Sequence, residues 1–177
     1  LHMLDLLGTS RFELATAVLL HAVRAEGRAA DMPAAKQVVH AICRRLKLSN
    51  QETDDICWLF KHQLALRDAS GLSTAALKRL MSQRLIADLI ALFRVETLAR
   101  GADLTAVVFC EEYLNSTPRE EIDPPPLLTG DDLIAHGFHP GPQFKTILDT
   151  VRDAQLNGEI TTMDQALQLA RDLTDAD

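Results

Sequence analysis

Apolar residues along this chain recur three or four positions apart, with polar residues between them. That spacing places the apolar side chains on one face of an amphipathic α-helix. The pattern predicts helices over residues 1–7, 12–25, 32–47, 49–64, 75–99 and 104–114, and three more after residue 126. We find no alternation of period two long enough for a confident strand, so the sequence predicts an all-α fold of eight to ten helices.

The predicted helix boundaries coincide with residues that favour helix ends. Ser49 followed by Glu52 forms a capping-box pattern, and Asp31-Met32-Pro33 fits a helix start. Arg100-Gly101 fits a helix end, because glycine adopts the positive φ that often follows the last turn. Asp54-Asp55 is interpreted as an acidic pair in a first turn.

Residues 124–170 carry the densest set of such signals. They are Thr129 with Asp132 at one helix start, Gly141-Pro142 at the next, Asn157-Gly158 at its end, and Thr162 with Gln165 as a capping box for the last helix. The apolar stripes of the last two helices are Phe144, Ile147, Leu148 and Val151, and then Met163, Ala166, Leu167 and Ala170. We interpret Asp131-Asp132 as capping and helix-dipole residues.

A polar, proline-rich segment divides the chain. Residues 116–126 are predicted to be a linker between a helical bundle over 1–115 and a small helical tail over 127–177. The segment Leu1–Leu7 begins inside an apolar pattern without a capping residue, so we expect the chain to be a piece of a longer protein.

Charge is distributed unevenly. The net charge is −7, but residues 1–100 hold 14 Lys and Arg against 10 Asp and Glu, whereas residues 101–177 hold 4 against 15. Phosphate contacts require Lys and Arg, so a nucleic-acid contact is expected mostly within the first hundred residues.

The three cysteines lie in apolar stripes of predicted helices, with no C-x-x-C pair. Their odd number argues against disulfides, so we expect buried free thiols and a cytoplasmic location. No apolar run is long enough to span a bilayer, and no signal peptide is recognisable, so no membrane is expected as a partner.

The C-terminal motifs resemble a known family. Residues 127–162 read LLTGDDLIAHGFHPGPQFKTILDTVRDAQLNGEITT. The order TGDDL, PGP and QLNGEITT resembles the C-terminal region of bacterial tRNA nucleotidyltransferases and poly(A) polymerases, and RRLKLSN at 44–50 matches the same pattern. The resemblance implies an HD-like helical bundle followed by the tail.

The HD-type segment departs from the family's pattern. In the family, an adjacent histidine and aspartate help to hold a divalent metal. Here His21 is followed by Ala22, and a methyl group offers no lone pair to a metal. We therefore interpret the segment as degenerate and His21 as a buried histidine satisfied by a hydrogen bond. We expect no metal and no cofactor.

The resemblance also implies a role for the chain. In the family, the helical region holds the RNA while an N-terminal head, with a GG-x-x-R-D turn and a D-x-D pair, adds nucleotides to its 3′ end. Neither motif is present in these residues. We expect no catalysis by this chain alone, an RNA-positioning role, a tRNA or other RNA 3′ end as partner, and a head in cis.

Five residues are the candidate RNA contacts. Gly141 opens a helix whose first N–H groups can bind an anion, and Lys145 follows one turn later. Arg44, Arg45 and Lys47 crowd the end of another helix. The simpler alternatives are helix initiation for Gly141 and favourable interaction with the helix dipole for the three cations.

Two other functions stay open. The chain could be a non-enzymatic helical module that docks a protein, which the acidic second half suits. It could also retain an HD-type phosphohydrolase centre, against which Ala22 argues. His62, four residues after Trp58, is expected to serve packing or a surface hydrogen bond.

Overall fold

The computed structural model describes residues 2–8, 11–21 and 32–175, and these residues form an all-α fold without a strand. The helices are α1 (His2–Leu7), α2 (Phe12–Leu20), α3 (Met32–Arg45), α4 (Asn50–His62), α5 (Thr74–Met81), α6 (Ile86–Ala99), α7 (Thr105–Ser116), α8 (Arg119–Ile122), α9 (Gly130–Ala135), α10 (Gln143–Asn157) and α11 (Met163–Asp175). The predicted fold class is confirmed, with eleven helices in the described residues rather than eight to ten.

The chain divides into two compact units. Unit 1 comprises Leu1–Ser70 and Arg84–Leu114, and unit 2 comprises Gly71–Gln83 and Asn115–Asp177. The predicted domain bounds at 115 and 127 stay a prediction, because compactness does not measure independent folding.

One predicted helix is wrong. The apolar period runs from Ala75 to Ala99, but the structure ends α5 at Met81 and begins α6 at Ile86. The Ser82 backbone N–H donates to the carbonyls of α5, and its hydroxyl donates to the Arg79 carbonyl at 3.0 Å. These bonds satisfy the helix end locally, and a serine can do so while the apolar spacing continues through the break.

In unit 1, helix α2 packs against α4, and α1 packs against α6. Leu14, Ala17 and Val18 of α2 are buried, but Phe12 and Leu19 are exposed. Helix α2 therefore buries one stripe only, although its residues are apolar over most of its circumference. The predicted continuation to Ala25 lies outside the described residues.

In unit 2, the three closing helices share a core with the segment before them. Its buried residues are Leu128, Leu133, Ile147, Val151, Ala166, Leu167 and Ala170. The two predicted stripes are confirmed except at Met163, whose side chain is 38% exposed. Met163 is the first residue of α11, and a side chain at a helix end has fewer neighbours to pack against than one in the middle.

Helix α5 belongs to this second unit through polar contacts with α10. The Asn157 side-chain oxygen accepts from the Ala75 backbone N–H at 2.9 Å, and the Arg79 Nε donates to Asp153 at 2.5 Å. Asn157 thus satisfies an N–H in the first turn of α5 while ending α10.

The segment predicted as a linker contains α8 and is bonded to α10. The Arg152 guanidinium donates to the Pro124 carbonyl at 2.8 Å and to the Asp123 carboxylate at 2.7 Å, and Gln155 donates to the Pro125 carbonyl at 2.7 Å. Residues 123–125 are therefore fastened to unit 2.

The predicted caps are confirmed. Ser49 with Glu52, Thr129 with Asp132, and Thr162 with Gln165 each exchange the two hydrogen bonds of a capping box. These bonds lower the pKa of the Glu52 and Asp132 carboxyls through the side-chain and backbone donors of Ser49 and Thr129. At Gly141-Pro142, Pro142 has helical dihedral angles and α10 begins one residue later, at Gln143.

We expect Gly158→Ala to lower the free energy of unfolding of the chain by about 1–2 kcal/mol. Gly158 ends α10 with a φ of 80°, and a Cβ there would meet nothing within 4 Å, so the cost is conformational and not steric. Urea unfolding followed by circular dichroism measures it. Gly71→Ala is the matched control, since Gly71 has a negative φ and equal space; equal losses in the two variants would contradict the explanation.

Candidate nucleic-acid interface

Helices α3 and α4, with their connection, form a pair that we call the α3–α4 hairpin (residues 32–62). Val39 and Cys43 of α3 pack against Ile56, Cys57 and Phe60 of α4, and all five side chains are buried. Lys36 and His40, near the start of α3, line one cavity with Lys61 and His62 at the end of α4, and only residues 46–49 connect the two helices, so the helices are antiparallel. The start of α3 therefore lies beside the end of α4.

The apolar spacing over residues 32–47 predicts that Val38, Val39, Ile42, Cys43 and Leu46 form the inner face of α3, and this prediction is wrong at two of the five positions. Val38 is 47% exposed and Leu46 is 58% exposed, whereas Val39 and Cys43 are fully buried. A helical stripe narrower than the apolar pattern leaves flanking residues in solvent.

Three of the predicted contact residues lie together at one end of this hairpin. Arg44 and Arg45 are in the last turn of α3 and Lys47 follows it, and all three are exposed. None of the three forms an ion pair with a described residue. Three positive charges are therefore available to an external anion at this end.

Lys47 adopts a backbone conformation that is unusual for a lysine. Its φ is +56°, the one positive value outside glycine among the described residues. The Leu48 backbone N–H donates to the Cys43 carbonyl at 3.2 Å, and the Lys47 N–H donates to the Arg44 carbonyl at 3.0 Å. These two bonds form a C-terminal cap in which Lys47 takes the position that glycine usually occupies. The sequence shows no glycine here, so this strain could not be predicted.

We expect Lys47→Gly to raise the free energy of unfolding by about 0.5–1 kcal/mol, because glycine adopts this conformation without the Cβ clash. Lys47→Ala keeps the clash and is the matched control, with little change expected. Chemical denaturation of the three proteins tests this, and a Lys47→Gly protein less stable than Lys47→Ala would contradict it.

The arginines elsewhere in unit 1 are paired with carboxylates. Arg84 and Arg11 pair with Asp55, Arg94 pairs with Glu111, and Arg67 and Arg100 both pair with Glu96. In contrast, the five cations of the hairpin have no carboxylate partner among the described residues; they are Lys36, Arg44, Arg45, Lys47 and Lys61. Within the described part of unit 1, unpaired positive charge is thus confined to the α3–α4 hairpin.

The acidic pair Asp54-Asp55 is a correction to the sequence analysis. Helix α4 begins at Asn50, so neither residue is in its first turn. The Asp55 side chain is 3% exposed and accepts from Arg84 and from the Gln51 side chain. Because Arg84 lies 29 residues from Asp55 in the chain, the sequence near Asp55 does not predict this ion pair.

A second group of residues in the hairpin was not found from the sequence. A cavity of about 550 Å³ lies where α3 begins and α4 ends, lined by Lys36, His40, Asp54, Cys57, Trp58, Lys61 and His62. The Trp58 and His62 rings lie 4.3 Å apart, and His62 Nδ1 donates to the Trp58 carbonyl at 2.8 Å, which confirms the predicted hydrogen bond. Burial lowers the pKa of His62, with a further contribution from Lys61, so its ring is neutral at neutral pH.

Gly141 and Lys145 belong to unit 2, whereas the three cations of the hairpin belong to unit 1. Gly141 lines a cavity of about 750 Å³ together with His136, Phe138, Phe144 and Arg171. Lys145 is exposed and does not line it. The structure thus brings Arg44, Arg45 and Lys47 into one group and leaves Gly141 and Lys145 in another.

Comparison with known proteins decides the family. The family model described as "tRNA nucleotidyltransferase domain 2 putative" matches residues 30–170, which is more than three quarters of the chain. The chain belongs to the tRNA nucleotidyltransferase family.

One curated relative is similar over a shorter stretch. The A-adding tRNA nucleotidyltransferase of Geobacter sulfurreducens is 45% identical over 49 residues, which is 28% of this chain and 6% of the relative. The match therefore spans a small part of the length of that tRNA nucleotidyltransferase. No solved structure matches this member of the family.

The tRNA nucleotidyltransferase resemblance raises the question of an HD-type metal. His21 is half-buried, and its Nδ1 donates to the Val18 carbonyl at 2.6 Å, so the predicted hydrogen bond is present while the burial is partial. Ala22 lies outside the described residues. Among the residues the structure describes, no three His, Cys, Asp or Glu side chains converge on a point that could hold a metal ion. The described residues around His21 therefore do not fit an HD-type metal.

The cysteines of this tRNA nucleotidyltransferase family member are buried and free, as predicted. Burial raises the pKa of Cys43 and Cys57, and it raises that of Cys110 to about 11. Raised values keep the thiols protonated and unreactive near neutral pH. In the described part of the chain, no helix is both long and apolar enough to cross a membrane.

Proposed function

We propose that this chain positions the RNA substrate of a tRNA nucleotidyltransferase through the α3–α4 hairpin. One observation carries the proposal: the described cations of unit 1 that lack an ion-pair partner all lie on this hairpin. Unpaired, exposed Lys and Arg can neutralise phosphates without first breaking an internal ion pair. Membership of the family supports RNA as the proposed ligand.

The arrangement of the cations fits an extended polyanion better than a single ion. Lys36 and Arg44 lie eight residues apart in α3, which at 1.5 Å per residue separates them by about 12 Å along the helix axis. Lys36, His40 and Arg44 repeat at four-residue spacing and so share one face of α3. Successive phosphates of one strand could meet successive side chains along that face.

Arg44, Arg45 and Lys47 are therefore the contacts that we propose for this unit. For Gly141 and Lys145 we propose a local phosphate contact at the start of α10, where the positive end of the helix dipole favours an anion. The two proposed contacts lie in different units of the structure.

We further propose that nucleotide addition is carried out by a catalytic head in cis, in the cytoplasm. The family's description as a second domain supports a partner domain, and the buried free thiols suit a reducing compartment. Coding sequence upstream that contains GG-x-x-R-D and D-x-D would support the head, and an upstream region without them would count against it.

Binding of a tRNA minihelix tests the proposed role. Fluorescence anisotropy of a labelled minihelix at low salt should give saturable binding, and the same stem with a blunt end is the comparison for 3′-end dependence. A protein that binds neither RNA would contradict the proposal and favour the protein-docking module suggested by the acidic residues 101–177. Metal-dependent phosphodiesterase turnover would instead revive the HD-type hypothesis.

A further inference from the structure

The cavity between the start of α3 and the end of α4 combines an aromatic surface with unpaired positive charge. Trp58 and His62 supply two rings held 4.3 Å apart, and the hydrogen bond from His62 to the Trp58 carbonyl fixes the histidine ring. Both side chains are half-buried and line the cavity. A half-exposed tryptophan that is already positioned offers a stacking surface at little entropic cost.

The charge at this cavity suits a phosphate group. Lys36 and Lys61 are exposed and lack a carboxylate partner among the described residues, and Asp54 is the one acidic residue in the lining. Positive charge therefore exceeds negative charge around the rings. The lysine ammonium group is a compact charge on a flexible side chain. It can therefore reach the phosphate of a nucleotide whose base is already fixed by stacking.

Two other occupants fit less well. His40, Asp54, Cys57 and His62 all border the cavity, yet no three such side chains among the described residues converge to hold a metal ion. A purely apolar ligand would leave both ammonium groups without a partner at the rim. A volume of about 550 Å³ lies within the range of sites that enclose a small organic molecule.

We propose that this cavity binds one unpaired nucleotide of an RNA strand, with its base stacked on Trp58 and its phosphate between Lys36 and Lys61. The proposal rests on the RNA-positioning function and specifies the ligand at one end of the same hairpin. Arg44, Arg45 and Lys47, at the other end of the hairpin, would contact phosphates of the RNA backbone. The cavity would hold one base that is not stacked on its RNA neighbours.

The chain offers a direct probe, because Trp58 is its one tryptophan. We would titrate the full chain with a short single-stranded RNA, with AMP, with inorganic phosphate and with a blunt RNA duplex, and follow tryptophan emission. Single-stranded RNA and AMP should quench the emission saturably, and phosphate and the blunt duplex should leave it unchanged. Equal quenching by phosphate alone would overturn the proposal in favour of a simple anion site.

Variants keep the test independent of fluorescence. With a labelled single-stranded RNA, Trp58→Ala should weaken binding about fivefold to a hundredfold and Trp58→Phe should weaken it less, since loss of a base–aromatic stack has effects of this size. Lys36→Gln with Lys61→Gln should weaken binding about tenfold, and Gln37→Ala is the matched neutral control. Circular dichroism confirms that each variant is folded.

The outcomes separate this inference from the function on which it depends. Binding of the minihelix without quenching, and unaffected by the Trp58 and lysine variants, overturns the nucleotide site and leaves RNA positioning intact. Absence of binding to every RNA overturns both. Quenching by single-stranded RNA that requires about tenfold more RNA in Lys36→Gln with Lys61→Gln supports both.

Discussion

Replacement of Arg44 and Arg45 by alanine and Lys47 by asparagine should weaken binding of a tRNA minihelix about tenfold or more at moderate salt. The three side chains are exposed and lack ion-pair partners among the described residues, so their loss removes phosphate contacts without breaking an internal pair. Asparagine is chosen at position 47 because it tolerates positive φ, which Lys47 already has. Fluorescence anisotropy measures the affinity.

A charge-retaining variant is the control for this experiment. Arg44→Lys, Arg45→Lys and Lys47→Arg keep three positive charges at the same positions, so affinity should fall less than threefold. Equal losses in the two triple variants would mean that side-chain shape, and not charge, determines binding. Unchanged affinity in the neutral variant would remove this end of the hairpin from the interface.

The second large effect concerns the packing that holds the hairpin together. Phe60→Ala should lower the free energy of unfolding by about 3–5 kcal/mol, since Phe60 is 1% exposed and lies in the core cluster between α3 and α4. Urea denaturation followed through Trp58 emission reports the unfolding of this hairpin, because Trp58 lies on α4.

Phe60→Leu is the matched control, with an expected loss below about 1.5 kcal/mol because it keeps most of the apolar volume. RNA affinity should follow the folded fraction in both variants, since the cations depend on the hairpin for their position. A Phe60→Ala protein with the stability of the original would show that this cluster does not hold α3 against α4.

Most of the fold was predictable from local signals. The three capping boxes, the stop at Gly158 and the stripe through Ile147 and Val151 depend on residues three or four positions apart, and the structure contains each of them. The break between α5 and α6 was not predictable, because the apolar spacing continues through it and only hydrogen bonds at Ser82 mark the end.

The candidate site was predictable only in part. The basic cluster at Arg44, Arg45 and Lys47 is contiguous in sequence, so composition revealed it. The cavity at Trp58 was missed because Lys36 and Lys61 lie 25 positions apart and meet only when α3 and α4 pack antiparallel. The sequence also does not show which cations form ion pairs, because partners such as Arg84 and Asp55 lie 29 residues apart in the chain.

The central claim is that unpaired cations on the α3–α4 hairpin hold an RNA backbone. The most direct test is the dependence of minihelix affinity on salt, compared between the original chain and the variant with Arg44, Arg45 and Lys47 neutralised. The account predicts that affinity falls steeply with salt in the original chain and that the slope of log affinity against log salt is smaller by about 2 to 3 in the variant. Equal slopes in the two proteins, or affinity independent of salt, would contradict it.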